Sequence, residues 1–220
     1  MRISIEKMKS LEKDGKWMEI CELAQALWIE NDKSLEATLG VLAEYWILMM
    51  DDAFYGIDID ISLEMWKQFW EVFLYGEEHY KDQPDYLWIT GYILNFSLLN
   101  AEIEKRHTGA WCPFSFDEAS CEKNREEAKK RLLDAYEKRP GIMIWRTYQK
   151  FFEQKESIKE KIAGGMKRLC QTKEQRVEES KRVEQERKLL EKEVWEYFPG
   201  DGEVDEYFRE SLLQEGENHG

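Results

Sequence analysis

Apolar residues recur at intervals of three and four positions along most of this 220-residue chain. Because an α-helix turns once in 3.6 residues, this spacing places them together on one helical face. A charged fraction of 35% and only four prolines also favour helices over sheets. The sequence therefore predicts an all-α fold of stacked antiparallel helical hairpins, with a core supplied by nine Trp, ten Tyr and ten Phe.

Turn residues divide this pattern into successive helices. Asn31-Asp32 forms a break, the segment 56–60 ends a helix, and Ser62 is the expected N-cap of the next one. Pro84 is a predicted first helical residue, where its missing N–H costs nothing. Helices are predicted over residues 5–13, 16–30, 35–50, 65–80, 84–99, 118–139 and 144–152.

The composition changes after about residue 152. Residues 153–193 hold 12 basic and 10 acidic residues with few apolar ones, a pattern typical of a long solvated helix with a hinge at Gly164-Gly165. A turn at 199–202 and a short acidic helix follow. We therefore predict a helical-hairpin domain over residues 1–152. Residues 153–220 are predicted to form a long charged C-terminal helix and a short acidic C-terminal helix that packs back on that domain.

The formal net charge of the chain is -14, from 46 acidic and 32 basic residues. Residues 1–152 carry -9 of it, from 19 basic and 28 acidic residues. Such an excess repels nucleic acid and anionic lipid and attracts basic proteins by long-range steering. The expected partner is therefore a basic protein, and neither nucleic acid nor a membrane is expected. The oligomeric state stays open.

No catalytic motif accompanies this charge. Phosphate-binding loops, nucleophile elbows and zinc-protease signatures are absent. Glu104 and His107 have a spacing found in di-iron bundles, but His79 offers no second copy of the motif. Four scattered cysteines, Cys21, Cys112, Cys121 and Cys170, lack metal-site spacing and are expected to be reduced and mostly packed. We expect no enzyme activity, no cofactor and no metal.

The N-terminal residues contain no apolar core of a signal peptide, and no run approaches 18 uncharged apolar residues. A cytoplasmic protein is therefore expected.

Acidic residues gather at two predicted turns. Asp51 and Asp52 are expected to end one helix, beside its unfavourable negative dipole end. If hairpins stack in order, the two groups form one acidic docking patch for a basic partner; the alternative is a scattered solvated surface. The patch would comprise Asp51, Asp52, Asp58, Asp60 and Glu64 at the first turn and Glu77, Glu78, Asp82 and Asp85 at the second.

Trp111 lies in a loop, 111–116, that is dense in aromatic residues. Aromatic side chains dominate interface hot spots, so Trp111 is a candidate partner-binding residue. The alternative is that this loop packs onto the helices beneath it.

Two segments resemble known families. Ala128-x-x-x-Leu132-x-x-Ala135-x-x-x-x-Pro140 is similar to the second-helix half of a tetratricopeptide unit, in which small residues let two helices approach closely. The first-helix half of that signature is missing directly ahead of it. No strict 34-residue period runs through the chain, so the resemblance implies a degenerate tetratricopeptide-like array.

The segment Tyr80-Lys81-Asp82-Gln83-Pro84-Asp85-Tyr86-Leu87-Trp88-Ile89-Thr90-Gly91-Tyr92 resembles part of the immunity proteins of bacterial contact-dependent and other polymorphic toxin systems, over about residues 65–140. This resemblance implies a non-enzymatic protein that binds one cognate toxin domain and occludes its active site. A basic nuclease is the expected target, because its phosphate-binding cleft complements clustered carboxylates. The alternative is a tetratricopeptide-like scaffold that grips a peptide or helix in a concave groove.

Overall fold

The computed structural model of the chain describes residues 10–11, 14–55, 59–95, 118–152, 172–200 and 203–213. Eight helices are bounded within these ranges, and no strand occurs there, which confirms the all-α prediction. The helices are α1 (Trp17–Glu30), α2 (Leu35–Tyr55), α3 (Ile59–His79), α4 (Pro84–Asn95), α5 (Glu118–Lys138), α6 (Ile142–Phe152), α7 (Lys173–Tyr197) and α8 (Glu203–Leu213).

Several predicted boundaries are confirmed, and two are wrong. α4 begins at Pro84 and α5 at Glu118, as the turn residues indicated. α3 begins at Ile59, so Ser62 lies inside its first turn and is not its N-cap; Ile61 already packs against the core. α2 continues past Asp51 and Asp52, which were predicted to end it, and stops at Tyr55, directly before the break predicted over 56–60. The predicted helix over 5–13 lies largely outside the described residues.

α1, α2 and α3 pack against one another around buried aromatic side chains. Trp28 of α1 is fully buried, and its Nε1 donates a hydrogen bond to Thr38 Oγ1 of α2 at 3.0 Å. Tyr45 of α2 donates a hydrogen bond to Gln68 of α3. Buried polar groups must be paired to avoid a desolvation cost, so these bonds help to fix the three helices in one arrangement.

Among the described helices, α4 and α5 share the most extensive contact, and they approach closely at Gly91. A Cβ atom on Gly91 of α4 would meet Leu132 Cγ at 3.0 Å and the Ala128 carbonyl oxygen at 3.1 Å. Ala128, Leu132 and Ala135 of α5 are all fully buried. The small-residue helix therefore finds its partner in α4, although about 20 residues separate the two helices in sequence.

The C-terminal helices pack onto this pair through aromatic rings. Trp88 of α4 lies 5.8 Å from Phe198, which follows α7, and 5.7 Å from Phe208 of α8, measured between ring centroids. Tyr92 of α4 hydrogen-bonds Ser211 of α8 at 3.0 Å. The first half of α7 is largely exposed, with Val177 and Val183 open to solvent. Gly164-Gly165, the predicted hinge, lies outside the described residues.

Candidate functional site

Three of the predicted turn acids pair with cations at or near the C-terminal half of α5. The N-terminal end of α4 lies beside the C-terminal end of α5, because the two helices are antiparallel. At that end the dipole of α4 favours acids and the dipole of α5 favours cations. We call this set the ion-pair seam; its pairs are Glu77–Arg131, Asp82–Lys138 and Asp85–Arg139.

The Glu77–Arg131 pair is the most buried part of the seam. Arg131 Nη1 donates to Glu77 Oε1 at 2.6 Å and Nη2 donates to Oε2 at 2.9 Å, so the contact is bidentate. The Arg131 side chain is only 10% exposed. Its other donors bond Glu127 Oε1 and Thr90 Oγ1, each at 3.0 Å. Each of the three guanidinium nitrogens thus donates at least one hydrogen bond, as a buried charge requires.

The charge of Arg131 also controls the protonation of Glu77. Burial by itself raises the pKa of the Glu77 carboxyl, but the hydrogen bonds and charge of Arg131 outweigh it, and the pKa lies below its usual 4.5. For Arg131, burial by itself lowers the pKa of the guanidinium, but the hydrogen bonds and charges of Glu77 and Glu127 outweigh it, and the pKa lies above its ordinary value. Both groups are therefore charged at neutral pH.

The outer end of the seam ties the C-terminal helices to the hairpins. Asp85 accepts hydrogen bonds from two nitrogens of Arg139, one of them at 3.2 Å, and from the Tyr197 hydroxyl of α7 at 3.0 Å. The Arg139 guanidinium lies 4.6 Å from the centre of the Tyr197 ring. Asp82 and Lys138 are 3.6 Å apart and well exposed, so their pair contributes little.

The outward face of α3 carries a second set of charges, which we call the acidic stripe. Since each residue turns a helix by about 100°, its six members lie within an arc of about 80°, opposite the buried face. The stripe is about 27 Å long, at about 1.5 Å per residue. It consists of Asp60, Glu64, Lys67, Glu71, Leu74 and Glu78.

The acids at the C-terminal half of the stripe face solvent. Glu71 and Glu78 are exposed, and no cation of the described residues pairs with either. Leu74, between them, is 62% exposed. At the other half, Glu64 lies 3.3 Å from Lys67 and accepts a hydrogen bond from Gln68, which lowers the pKa of the Glu64 carboxyl.

The members of the two predicted acidic groups that lie on α3 are far apart along that helix. Glu64 lies near the first turn of α3 and Glu78 near its last, so about 21 Å of helix separates them. Asp51 and Asp52 lie within α2, one turn before its end. Asp58 and Trp111 lie outside the described residues. What the structure does bring together is a line of charge along α3, which joins Asp60 to Glu78.

Three members of this line, Lys67, Glu71 and Leu74, were not among the residues predicted from the sequence. The buried face of α3 repeats through Met65, Phe69 and Phe73. Positions half a turn away from those residues face outward, and they include all three of these residues. The pattern was therefore present, but the acids were grouped by turn and not by helical face.

No other chemistry is visible in the described part of the chain. Residues there contain no group of three or more His, Cys, Asp or Glu side chains able to hold a metal ion. The Glu104–His107 pair lies outside the described ranges. Cys21 is a free, buried cysteine, and burial raises its thiol pKa to about 12, so it is protonated at neutral pH. None of the described helices is long and apolar enough to cross a membrane.

The chain matches no protein-family model, no curated protein and no solved structure. The candidate site therefore rests on the geometry and charge of its own residues.

Proposed function

We propose that this chain is a non-enzymatic binding protein that docks a basic partner protein on the acidic stripe of α3. The observation that carries the proposal is that some carboxylates of α3 form ion pairs with cations of the described residues and others do not. Glu71 and Glu78 are exposed and form no ion pair with a cation of the described residues, whereas Glu77 is paired with Arg131 inside the fold. Unpaired carboxylates on a rigid helix are available to a partner's lysines and arginines and speed association.

An exposed leucine within the stripe supplies an apolar contact. Leu74 lies one turn from both Glu71 and Glu78, so an apolar partner residue seated on it would be flanked by two carboxylates. Interfaces place apolar contacts at the centre and charges at the rim. The segment from Glu71 to Glu78 has this composition over about two turns of helix, which favours a basic helix or ridge as the docking element.

The most specific form of the proposal is an immunity protein that occludes a basic, nuclease-type toxin domain. It is supported by the resemblance of residues 80–92 to polymorphic-toxin immunity proteins and by the net charge of -14. A nuclease must present a positive surface to phosphate, and the same surface is attracted to an acidic inhibitor.

The test uses the full chain and the product of the gene directly upstream of its own. The double variant Glu71→Lys/Glu78→Lys should slow association at least tenfold. The matched control is Glu126→Lys/Glu137→Lys, which reverses two exposed glutamates of α5 and changes the net charge equally. We expect the control to slow association less than threefold, because steering depends on where the charge lies.

Three results would overturn the proposal. One is an equal effect of the two double variants, which would mean that only net charge matters. The second is a lack of binding between the chain and the upstream gene product. The third is a failure of the chain to relieve that product's toxicity in cells, which would remove the immunity role.

The second candidate function is a scaffold that binds a peptide or helix, and the exposure of Leu74 favours it as well. The two candidates differ in salt dependence. Association with a basic toxin should slow as salt rises from 50 to about 500 mM, because the Debye length shrinks from about 14 Å to about 4 Å. Scaffold binding centred on apolar contacts should hardly change over that range.

A further inference from the structure

The turn between α1 and α2 has an unusual backbone. Asp32 and Lys33 both adopt left-handed conformations, with φ of 54° and 50°. Residues with a Cβ atom rarely do so, and two in succession require support from their surroundings. The Lys33 carbonyl oxygen accepts hydrogen bonds from the Tyr80 hydroxyl at 2.8 Å and from Thr38 Oγ1 at 3.2 Å. This support fixes the position from which the Lys33 side chain leaves the backbone.

The Lys33 side chain ends in a corner formed by two aromatic rings. The rings of Trp28 and Tyr75 meet at 89° with their centres 5.2 Å apart. The Lys33 ammonium lies 4.3 Å from the centre of the Trp28 ring and 5.1 Å from that of the Tyr75 ring. Both distances fall within the range of a cation–π contact. We call these two rings the aromatic corner.

The walls of the corner are held in place by their own contacts. Trp28 is fully buried and hydrogen-bonded to Thr38, so its ring has a fixed orientation. The Tyr75 ring stacks on His79 at 4.0 Å and 14°, and Tyr80 lies 6.1 Å away at 65°. The corner is therefore a preorganised receptor, which lowers the entropic cost of binding a cation.

The corner lies beside the end of the acidic stripe. Tyr75 follows Leu74 directly on α3 and precedes Glu78 by three residues, so its side chain is about 60° around the helix from Glu78. No carboxylate among the described residues pairs with the Lys33 ammonium. When Lys33 leaves the corner, it therefore breaks no ion pair, and its ammonium is hydrated by solvent.

We propose that the aromatic corner is a binding site for an ammonium side chain, and that Lys33 is a tethered occupant which a lysine of the basic partner displaces. The partner's identity rests on the proposed function, whereas the corner does not. A partner docked on the stripe places its last basic residues next to Glu78. One of them then enters the corner, where two aromatic faces replace its hydration shell.

The test uses n-butylammonium chloride, which copies the end of a lysine side chain, titrated into the full chain and followed by NMR of the indole N–H groups. Lys33→Gly empties the corner and suits the left-handed backbone. The matched control is Asp32→Gly, which relieves the same backbone conformation at the next position but keeps Lys33 in place. Sodium chloride at equal ionic strength corrects for salt effects.

Lys33→Gly should bind the probe in the millimolar range, at least tenfold more tightly than Asp32→Gly and the wild type. The tethered lysine competes in both of those proteins, and a tenfold effect corresponds to an effective concentration of about ten times the dissociation constant of the corner for an ammonium group. Adding Tyr75→Leu to Lys33→Gly should abolish the gain. Equal binding by Lys33→Gly and Asp32→Gly, or a gain that survives Tyr75→Leu, would overturn the proposal.

Lys33→Gln is a second variant for the case in which Lys33→Gly folds poorly, because it removes the ammonium and keeps a side chain at position 33. Its expected gain is also at least tenfold, and the absence of that gain contradicts the proposal.

This titration is separate from the association test, because it contains no partner protein. A chain that binds butylammonium but no upstream gene product would retain the corner and lose the immunity role.

Discussion

Glu77 and Glu78 are neighbours in sequence on α3, yet they belong to different regions of the molecule. Glu77 faces the α4–α5 pair, where Arg131 donates two hydrogen bonds to its carboxylate. Glu78 faces solvent on the acidic stripe. The difference arises because one residue turns the helix by about 100°. It teaches that an acidic cluster in a sequence can contain carboxylates with opposite roles, some that stabilise the fold and some that remain available for binding.

Mutations in the ion-pair seam and in the acidic stripe should therefore affect different measured properties. Changes in the seam should lower the free energy of unfolding, whereas changes in the stripe should affect association and leave stability nearly unchanged.

The largest stability effect should come from Arg131→Met. This change leaves Glu77 half-buried without its cation and removes the partner of Thr90 and Glu127. We expect a loss of about 3 kcal/mol, since removing one partner of a buried pair leaves an uncompensated charge. Urea unfolding at pH 7 measures it. The control, Arg125→Met, removes an exposed arginine from the same helix and should cost less than about 0.5 kcal/mol. Equal losses would mean that the seam has no special role.

Glu77→Gln should have a smaller, pH-dependent effect of about 2 kcal/mol at pH 7, the range for a hydrogen bond to a charged group. Because the folded pKa of Glu77 lies below the unfolded value, its contribution is complete above about pH 5 and is lost as pH falls through the folded pKa. The gap in unfolding free energy between wild type and variant should be constant from pH 7 to 5 and narrow below about pH 4.5.

Glu78→Gln is the matched control for this pH series, because it changes the adjacent residue on the exposed face. Its stability curve should follow that of the wild type at every pH. A pH-dependent gap for Glu78→Gln as large as that for Glu77→Gln would contradict the division of the helix into two faces.

The smallest stability effect should come from Glu71→Gln/Glu78→Gln. Neither carboxylate pairs with a cation of the described residues, so their neutralisation should change the free energy of unfolding by less than about 0.5 kcal/mol. The same double variant should still slow association with the basic partner. A large loss of stability in this variant would mean that the two carboxylates stabilise the fold, and it would contradict their proposed role in binding.

The prediction of the fold succeeded where helical periodicity was strong. The spacing of Trp17, Ile20, Ala24 and Trp28 indicated α1, and Pro84 marked the start of α4, because helix formation and its N-terminal residues depend on local chemistry. The small residues Ala128 and Ala135 indicated close helix packing. They did not reveal that the partner is α4 through Gly91, since that choice depends on contacts between distant segments.

The candidate site was predicted less completely. Asp60, Glu64 and Glu78 were among the predicted partner-binding residues and lie on one exposed face. Glu77 and Asp85 were grouped with them, but arginines about 54 positions away in sequence bind both. No local sequence pattern around residue 77 or 85 predicts that arginines will bind these carboxylates.

Local chemistry makes the chain helical, gives it a net charge of -14 and sets boundaries such as the start of α4 at Pro84. These properties depend on single residues and on neighbours one turn away. Contacts between distant helices determine which carboxylates are neutralised and which stay exposed, and they place Lys33 between Trp28 and Tyr75. Pairing a charge requires two groups within about 4 Å, and the helices that carry them meet only when the chain has folded.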